Sequence, residues 1–151
     1  MKILTCVKAV PDLTMMPDHG WSVDEHFAID TSYIKRILNC FDESAAELAI
    51  ELGQQANAHS QHCELDAITV GDSKSDIFLR TLLALEYQHT TRIALENVPS
   101  LNFSPEIIAK ILAQYEKKTP HDLILLGMQS SDGNNTQTAQ LLAEELGLPC
   151  L

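Results

Sequence analysis

Two rhythms of apolar residues alternate along the chain. The first is a set of short runs: "KILTCVK" (2–8), "ELDAITVGD" (64–72), "TRIAL" (91–95) and "DLILLG" (122–127). They are too short for helices and are bounded by turn residues, so they predict strands. The second rhythm has helical spacing. In "FDESAAELAIEL", Phe41, Ala45, Leu48, Ala49 and Leu52 form one stripe, with Asp42, Glu43, Glu47 and Glu51 toward water. Ser73 to Asp76 has the form of a capping box ahead of a helix over Ile77 to Leu85. Ser104, Pro105 and Glu106 open a third helix. Its stripe is Ile107, Ile108, Ile111, Leu112 and Tyr115, and Lys117, Lys118 and Pro120 mark its end. A last helix runs to Gly147 and Pro149. Residues 12–38 read as irregular, with "WSVDEHFAID" a small excursion strand or hairpin.

Strands that alternate with helices make βαβ units. The expected fold is therefore α/β: one domain over 1–151, a doubly wound and mostly parallel sheet with helices on both faces, Rossmann-like. In such sheets ligands bind beyond the carboxyl ends of the strands, where the strand order reverses. The candidate places are Cys6–Lys8, Val70–Asp72 and the chain from Gly127 onward.

Composition narrows the classes of partner. The chain has 151 residues, a net charge of −11, and 10 basic against 21 acidic residues. A nucleic-acid backbone calls for a basic face, so no nucleic-acid partner is expected, and no anionic membrane surface. Apolar runs such as "ILTCV" and "LILLG" are far too short for membrane insertion. The first residues lack the length of a signal peptide and the Arg/Ser pattern of a transit peptide, so a cytoplasmic, prokaryotic setting is expected. The 4 cysteines, Cys6, Cys40, Cys63 and Cys150, form no CxxC pair and read as free thiols. "HSQHC" (His59 to Cys63) lacks a fourth ligand, so no metal is assigned there.

The stretch "GMQSSDGNNTQTAQ" (127–140) is the chemically loaded one. No Walker A, GxGxxG or GxSxG pattern is present. Two readings fit the loop. In one it wraps a phosphate: Gly127 and Gly133 allow close backbone approach, and Ser130, Ser131, Thr136 and Thr138 supply hydroxyls. The following helix supplies N–H groups and a positive dipole end. Asp132 then suits a ribose hydroxyl or ties the loop to itself. In the other reading, Asn134, Asn135 and Thr136 cap the helix. Lys8 either neutralises a phosphate or marks the solvent end of a strand. Asn39 is an N-cap candidate, and Cys6 a small core residue. Trp21 and the Met15–Met16 pair fit a partner surface or local core equally. No nucleophile–base–orienter set marks an independent catalyst.

These stretches together resemble the β subunit of electron transfer flavoproteins (the ETF β/FixA family), over nearly the whole chain. "KILTCVKAVPD" is similar to that family's opening strand and "CVKxVPD" turn. "NCFDESAAELAIEL" is similar to "NPFDExAxEEAxxL", and "ITVGDSKSDIFLRTLLAL" to the family's LRxAL segment. "DLILLGMQSSDGNNTQTAQLLAEELGLP" resembles "DLILLGxQxxDxxxxQTGxxLAExLGxP". The first and last carry the resemblance.

The resemblance implies an adenine-nucleotide-binding domain of adenine-nucleotide α-hydrolase-like fold, the N-terminal part of a longer β subunit. That subunit pairs with an FAD-bearing α subunit. It holds AMP in ordinary carriers and a second FAD in bifurcating relatives, and the pair takes electrons from dehydrogenases. It works as an electron carrier more than as an enzyme in its own right. Carried over, Cys6 meets the adenine, with Lys8 just beyond it. Asn39, Cys40, Phe41 and Asp42 line the ribose and adenine side, and Val70 closes the pocket. Gly127, Met128, Gln129, Ser130, Ser131, Asp132, Gly133, Asn134, Asn135, Thr136, Gln137 and Thr138 wrap the phosphate.

Several departures mark a divergent member. Cys40 stands where Pro is usual, Met128 where many members have Lys, Thr136 for Asn and Ala139 for Gly, and "ALEYQHTTRIAL" lacks the usual turn. The alternative is a stand-alone adenine-nucleotide sensor or interaction module of the same fold. A nucleotide-cleaving pyrophosphatase ranks last, because residues 9–20 hold Pro11 and Pro17 instead of a Gly/Ser loop.

Overall fold

A computed structural model describes residues 1–25, 29–95 and 104–151. Four strands form the main sheet: β1 (Lys2–Cys6), β4 (Glu64–Gly71), β5 (His89–Ala94) and β6 (Leu123–Leu126). Their order is β5-β4-β1-β6 and every pairing is parallel. A second, antiparallel pair joins β2 (Ala9–Pro11) to β3 (Arg36–Leu38). The helices are α1 (Cys40–Ala58), α2 (Asp76–Ala84), α3 (Pro105–Lys118) and α4 (Thr138–Leu146).

Successive strand residues point to opposite faces, and both faces are covered. Ile3, Leu65 and Ala67 pack with Ala46, Ala49, Leu79 and Leu82, from α1 and α2. Leu4, Cys6 and Ile68 pack with Ala109, Leu112, Ala113 and Leu142, from α3 and α4. The expected doubly wound α/β sheet is thus present. Within the first layer the buried phenol of Tyr87 meets Thr5 Oγ1 at 2.9 Å and donates to the Ala46 carbonyl at 3.3 Å, so both buried hydroxyls are paired.

The expectations for the elements need four corrections. The excursion at 21–30 reduces, among the described residues, to a single bridge between Val23 and Ile29; residues 26–28 lie outside the described set. The third strand begins two residues earlier than "TRIAL", at His89. The Ser73–Asp76 box does not form: Asp72 caps a short 3₁₀ turn by accepting from Lys74 N, and Ser75 makes no side-chain cap bond. The buried face of α1 is also turned from the one expected. Leu48 is 44% exposed, whereas Asp42 is 6% exposed and lies among Ala45, Ala46, Ala49, Gly53 and Ala56. Small residues let the helix lie close on the sheet, and Asp42 is drawn inward by backbone donors described below. Among the described residues no helix is long and apolar enough to cross a membrane.

Candidate functional site

Strand order reverses between β1 and β6, since β4 and β5 build out one side of β1 while β6 builds the other. At such a switch point the loops leave in opposite directions and a crevice opens beyond the strand ends. An open cleft lies there, between the ends of β1 and β6 and the starts of α3 and α4.

Its floor is apolar: Cys6, Ile68, Val70, Ile108, Leu112 and Leu126. Burial is the main force pushing the Cys6 thiol up, with Asp42 and Glu116 adding to it. Cys6 is therefore a neutral wall and not a nucleophile. The other side is polar, formed by Lys8, Gln129, Ser130, Asn135 and Gln137, with Thr138 and Ala139 at the start of α4.

Asp42 organises the floor's edge. Its Oδ2 accepts from Lys8 N at 2.8 Å and its Oδ1 from Gly127 N at 3.0 Å. One buried carboxyl thus ties the end of β1 to the end of β6 at the first turn of α1. Burial pushes its pKa up to about 6, against the opposing pull of the bonds from Lys8, Asn39 and Gly127. Gly127 is required by this closeness. A Cβ there would meet the Asp42 carboxylate, with Phe41 Cβ at 2.7 Å and the Phe41 backbone at 2.8 Å.

Asn39 stands at the N-cap position of α1 but makes no side-chain cap bond. Its carboxamide turns to the loop instead: Nδ2 donates to the Gln129 carbonyl at 2.7 Å, and Oδ1 accepts from Ser131 N at 3.3 Å. At 1% exposure it supports the loop from behind. Asp132, outside the cleft wall itself, is held by Lys8, whose Nζ lies 2.8 Å from its Oδ1 and 3.5 Å from Ser130 Oγ.

The loop is folded on itself, with Asn134 N donating to the Ser130 carbonyl at 2.9 Å and Gly133 N to Ser130 Oγ at 3.3 Å. Asn134 and Thr136 carry φ of 48° and 55°, a strained setting for β-branched Thr136. Asn135 Oδ1 accepts from Gln137 N at 3.4 Å. The helix-cap reading of Asn134, Asn135 and Thr136 is not what forms: Gln137 is the N-cap of α4, without a side-chain cap bond. The helix's first turn faces the cleft through Thr138 and Ala139.

Of the expected site residues, Cys6, Lys8, Asp42, Val70, Gly127, Met128, Gln129, Ser130, Asn135, Gln137 and Thr138 line one cleft. Cys40 is exposed at the start of α1. Asn39, Ser131 and Asp132 act as supports. Phe41, Gly133, Asn134 and Thr136 lie in the same segments but not in the cleft wall. The α3 side of the pocket, Ser104, Pro105, Ile108 and Leu112, was missing from the sequence-derived set. Its signal was available: in a parallel α/β sheet, helix starts share the edge with strand ends.

A parallel, doubly wound sheet with a crevice at its switch point places the chain in the class of Rossmann-like α/β domains. Within that class, the electron transfer flavoprotein domain family matches residues 26–151. The chain is 36% identical over 152 residues, 99% of its length and 56% of the relative's, to an Escherichia coli (strain K12) protein provisionally named electron transfer flavoprotein subunit YgcR. It is 33% identical over 153 residues to the mitochondrial electron transfer flavoprotein subunit beta of Oryza sativa subsp. japonica, covering 99% of this chain and 56% of that one. To the Bacillus subtilis subunit beta it is 31% identical over 146 residues, 93% of this chain and 54% of that one. The chain belongs to the electron transfer flavoprotein family, as a β-subunit-like member. It spans about half the length of the curated relatives it matches.

Proposed function

We propose that this chain is the nucleotide-binding portion of an electron transfer flavoprotein β subunit, holding AMP or FAD in the switch-point cleft. One observation carries the reading: the uncapped first turn of α4 and the Gln129–Ser130 segment face the same crevice that an apolar floor closes beneath. An adenine ring suits the floor, which offers flat apolar contact and the strand-end backbone of Cys6 and Val70. A phosphate suits the rim, where helix N–H groups and hydroxyls replace its hydration. Lys8 supplies positive charge beside Ser130 and is already shared with Asp132. The cradle therefore relies more on N–H and hydroxyl donors than on cations.

In this reading the chain supplies binding and scaffold, and the redox chemistry belongs to a flavin. Its partner is an electron transfer flavoprotein α subunit bearing FAD, with dehydrogenases as donors, in the cytoplasm. Mass spectrometry of small molecules released on denaturing the complete protein, co-expressed with an α-type partner, tests this. AMP or FAD in stoichiometric amount is the expected result; release of neither would overturn it. At the rim, Thr138→Val removes a hydroxyl at the helix start. It should weaken AMP binding about tenfold, the loss of one good hydrogen bond to a charged group, while the unfolding midpoint stays nearly constant. Equal loss of both would make Thr138 a structural group only.

A further inference from the structure

The amino edge of the sheet, opposite the cleft, carries a second cluster of chemistry. Glu64 and Asp66 alternate on β4 and so share a face, and His89, the first residue of β5, is the register partner of Asp66. His89 Nδ1 lies 3.1 Å from Asp66 Oδ1 and 3.2 Å from Glu64 Oε1, and the three donor atoms sit within 4.8 Å of one another. Ligands about 2.1 Å from one ion are ~3.0 Å apart at neighbouring octahedral positions and ~3.4 Å apart at tetrahedral ones. The two distances from His89 Nδ1 fall in that range, as they also do for hydrogen bonds, and the third pair lies within 4.8 Å.

Two further features fit. Asp66 is buried, and its other oxygen lies 3.1 Å from His121 Nε2, while His121 Nδ1 lies 2.7 Å from Glu116 Oε2. Such an outer layer fixes the orientation of a ligating carboxylate. His89, with its side chain 66% exposed, leaves a wet side open for ion entry and for water ligands. Lys2 is the resident competitor, its Nζ 3.4 Å from Glu64 Oε2 and 4.0 Å from Asp66 Oδ2. Its ammonium thus sits beside the same two carboxylates, while its backbone N–H donates to Asp122 Oδ2 at 2.7 Å.

We propose that Glu64, Asp66 and His89 form a binding site for a divalent transition-metal ion of the Zn²⁺ type, clipping β4 to β5 at the amino edge of the sheet. One imidazole with two carboxylates suits such an ion better than Mg²⁺ or Ca²⁺, which favour all-oxygen shells. Lys2 swings out as the ion enters, so lysine and metal compete for the same two carboxylates.

The test is calorimetric titration of Zn²⁺ into metal-stripped protein, with Co²⁺ absorption as the spectroscopic probe. One ion per chain is expected, with a Co²⁺ spectrum free of a thiolate band. His89→Ala and Glu64→Gln should each weaken binding ~tenfold or more, whereas Lys2→Gln should tighten it severalfold. All three side chains are at least partly exposed, and circular dichroism checks that the variants fold. His62→Ala and Cys63→Ser should leave binding unchanged, which separates this site from the nearby "HSQHC" segment. No saturable binding below about 1 mM, survival of binding in His89→Ala, or a thiolate band lost in Cys63→Ser would each overturn the proposal.

Discussion

Asp42 shows how one side chain can set the geometry of a cleft. Both of its oxygens accept backbone N–H groups, one from the end of β1 and one from the end of β6. Burial raises its pKa from 3.8 to about 6. Between those values the folded protein holds a proton that the unfolded chain has released, so stability falls as pH rises. This contribution is fully present below about pH 4 and is lost as pH rises through about 6, a change on the order of 3 kcal/mol at most. Urea unfolding at pH 4, 5, 6 and 7 checks it. The wild type should lose stability across this window relative to Asp42→Asn, which has no proton to release. Parallel profiles for the two proteins would mean that the carboxyl keeps its ordinary pKa. The sequence contained Asp42 as a solvent-facing residue of an acidic first turn. Nothing in helical periodicity marks an acid whose partners are backbone groups of distant strands.

At the scale of elements, the strands and helices were legible because each has a strong period and clear punctuation. The parallel sheet followed from their alternation, and the switch-point edge followed from the sheet. Orientation within elements was less legible. The stripe read for α1 placed Ala45 and Ala49 correctly, but Leu48 lies outward while Asp42, Ala46, Gly53 and Ala56 lie inward, because close helix–sheet packing favours small groups. Glu116 was hidden in the same way: it is buried in α3 because His121 pairs with it across the helix end.

Asn39 joins two elements, holding the Gln129–Ser131 turn to the start of α1. Asn39→Ala strands a carbonyl and an N–H, costing about 1–3 kcal/mol. Hydrogen exchange should quicken at 129–131 while the first turn of α1 keeps its protection. Faster exchange in α1 with the loop unchanged would return Asn39 to the simple N-cap role that its position implies.

Over the whole molecule, two sheet edges carry different chemistry. The carboxyl edge holds the cleft, bounded by β1, β6 and the starts of α1, α3 and α4. The amino edge holds the Glu64–Asp66–His89 cluster. The cleft's place was legible from topology and from the polar segment 127–138, while its α3 wall and its supports needed the fold. The amino-edge cluster was not legible, because Glu64, His89 and His121 lie far apart in the chain and meet only through strand pairing. The chain covers about half the length of its relatives, and the proposed nucleotide binding is tested on the cleft itself. The most direct measurement is a titration of isotope-labelled protein with AMP and with FAD, following backbone amide resonances. Shifts should concentrate at residues 6–8, 70–71, 127–131 and 138–140 and saturate at one ligand per chain. Resonances that stay fixed at those positions, or that move only at the amino edge, would contradict the account.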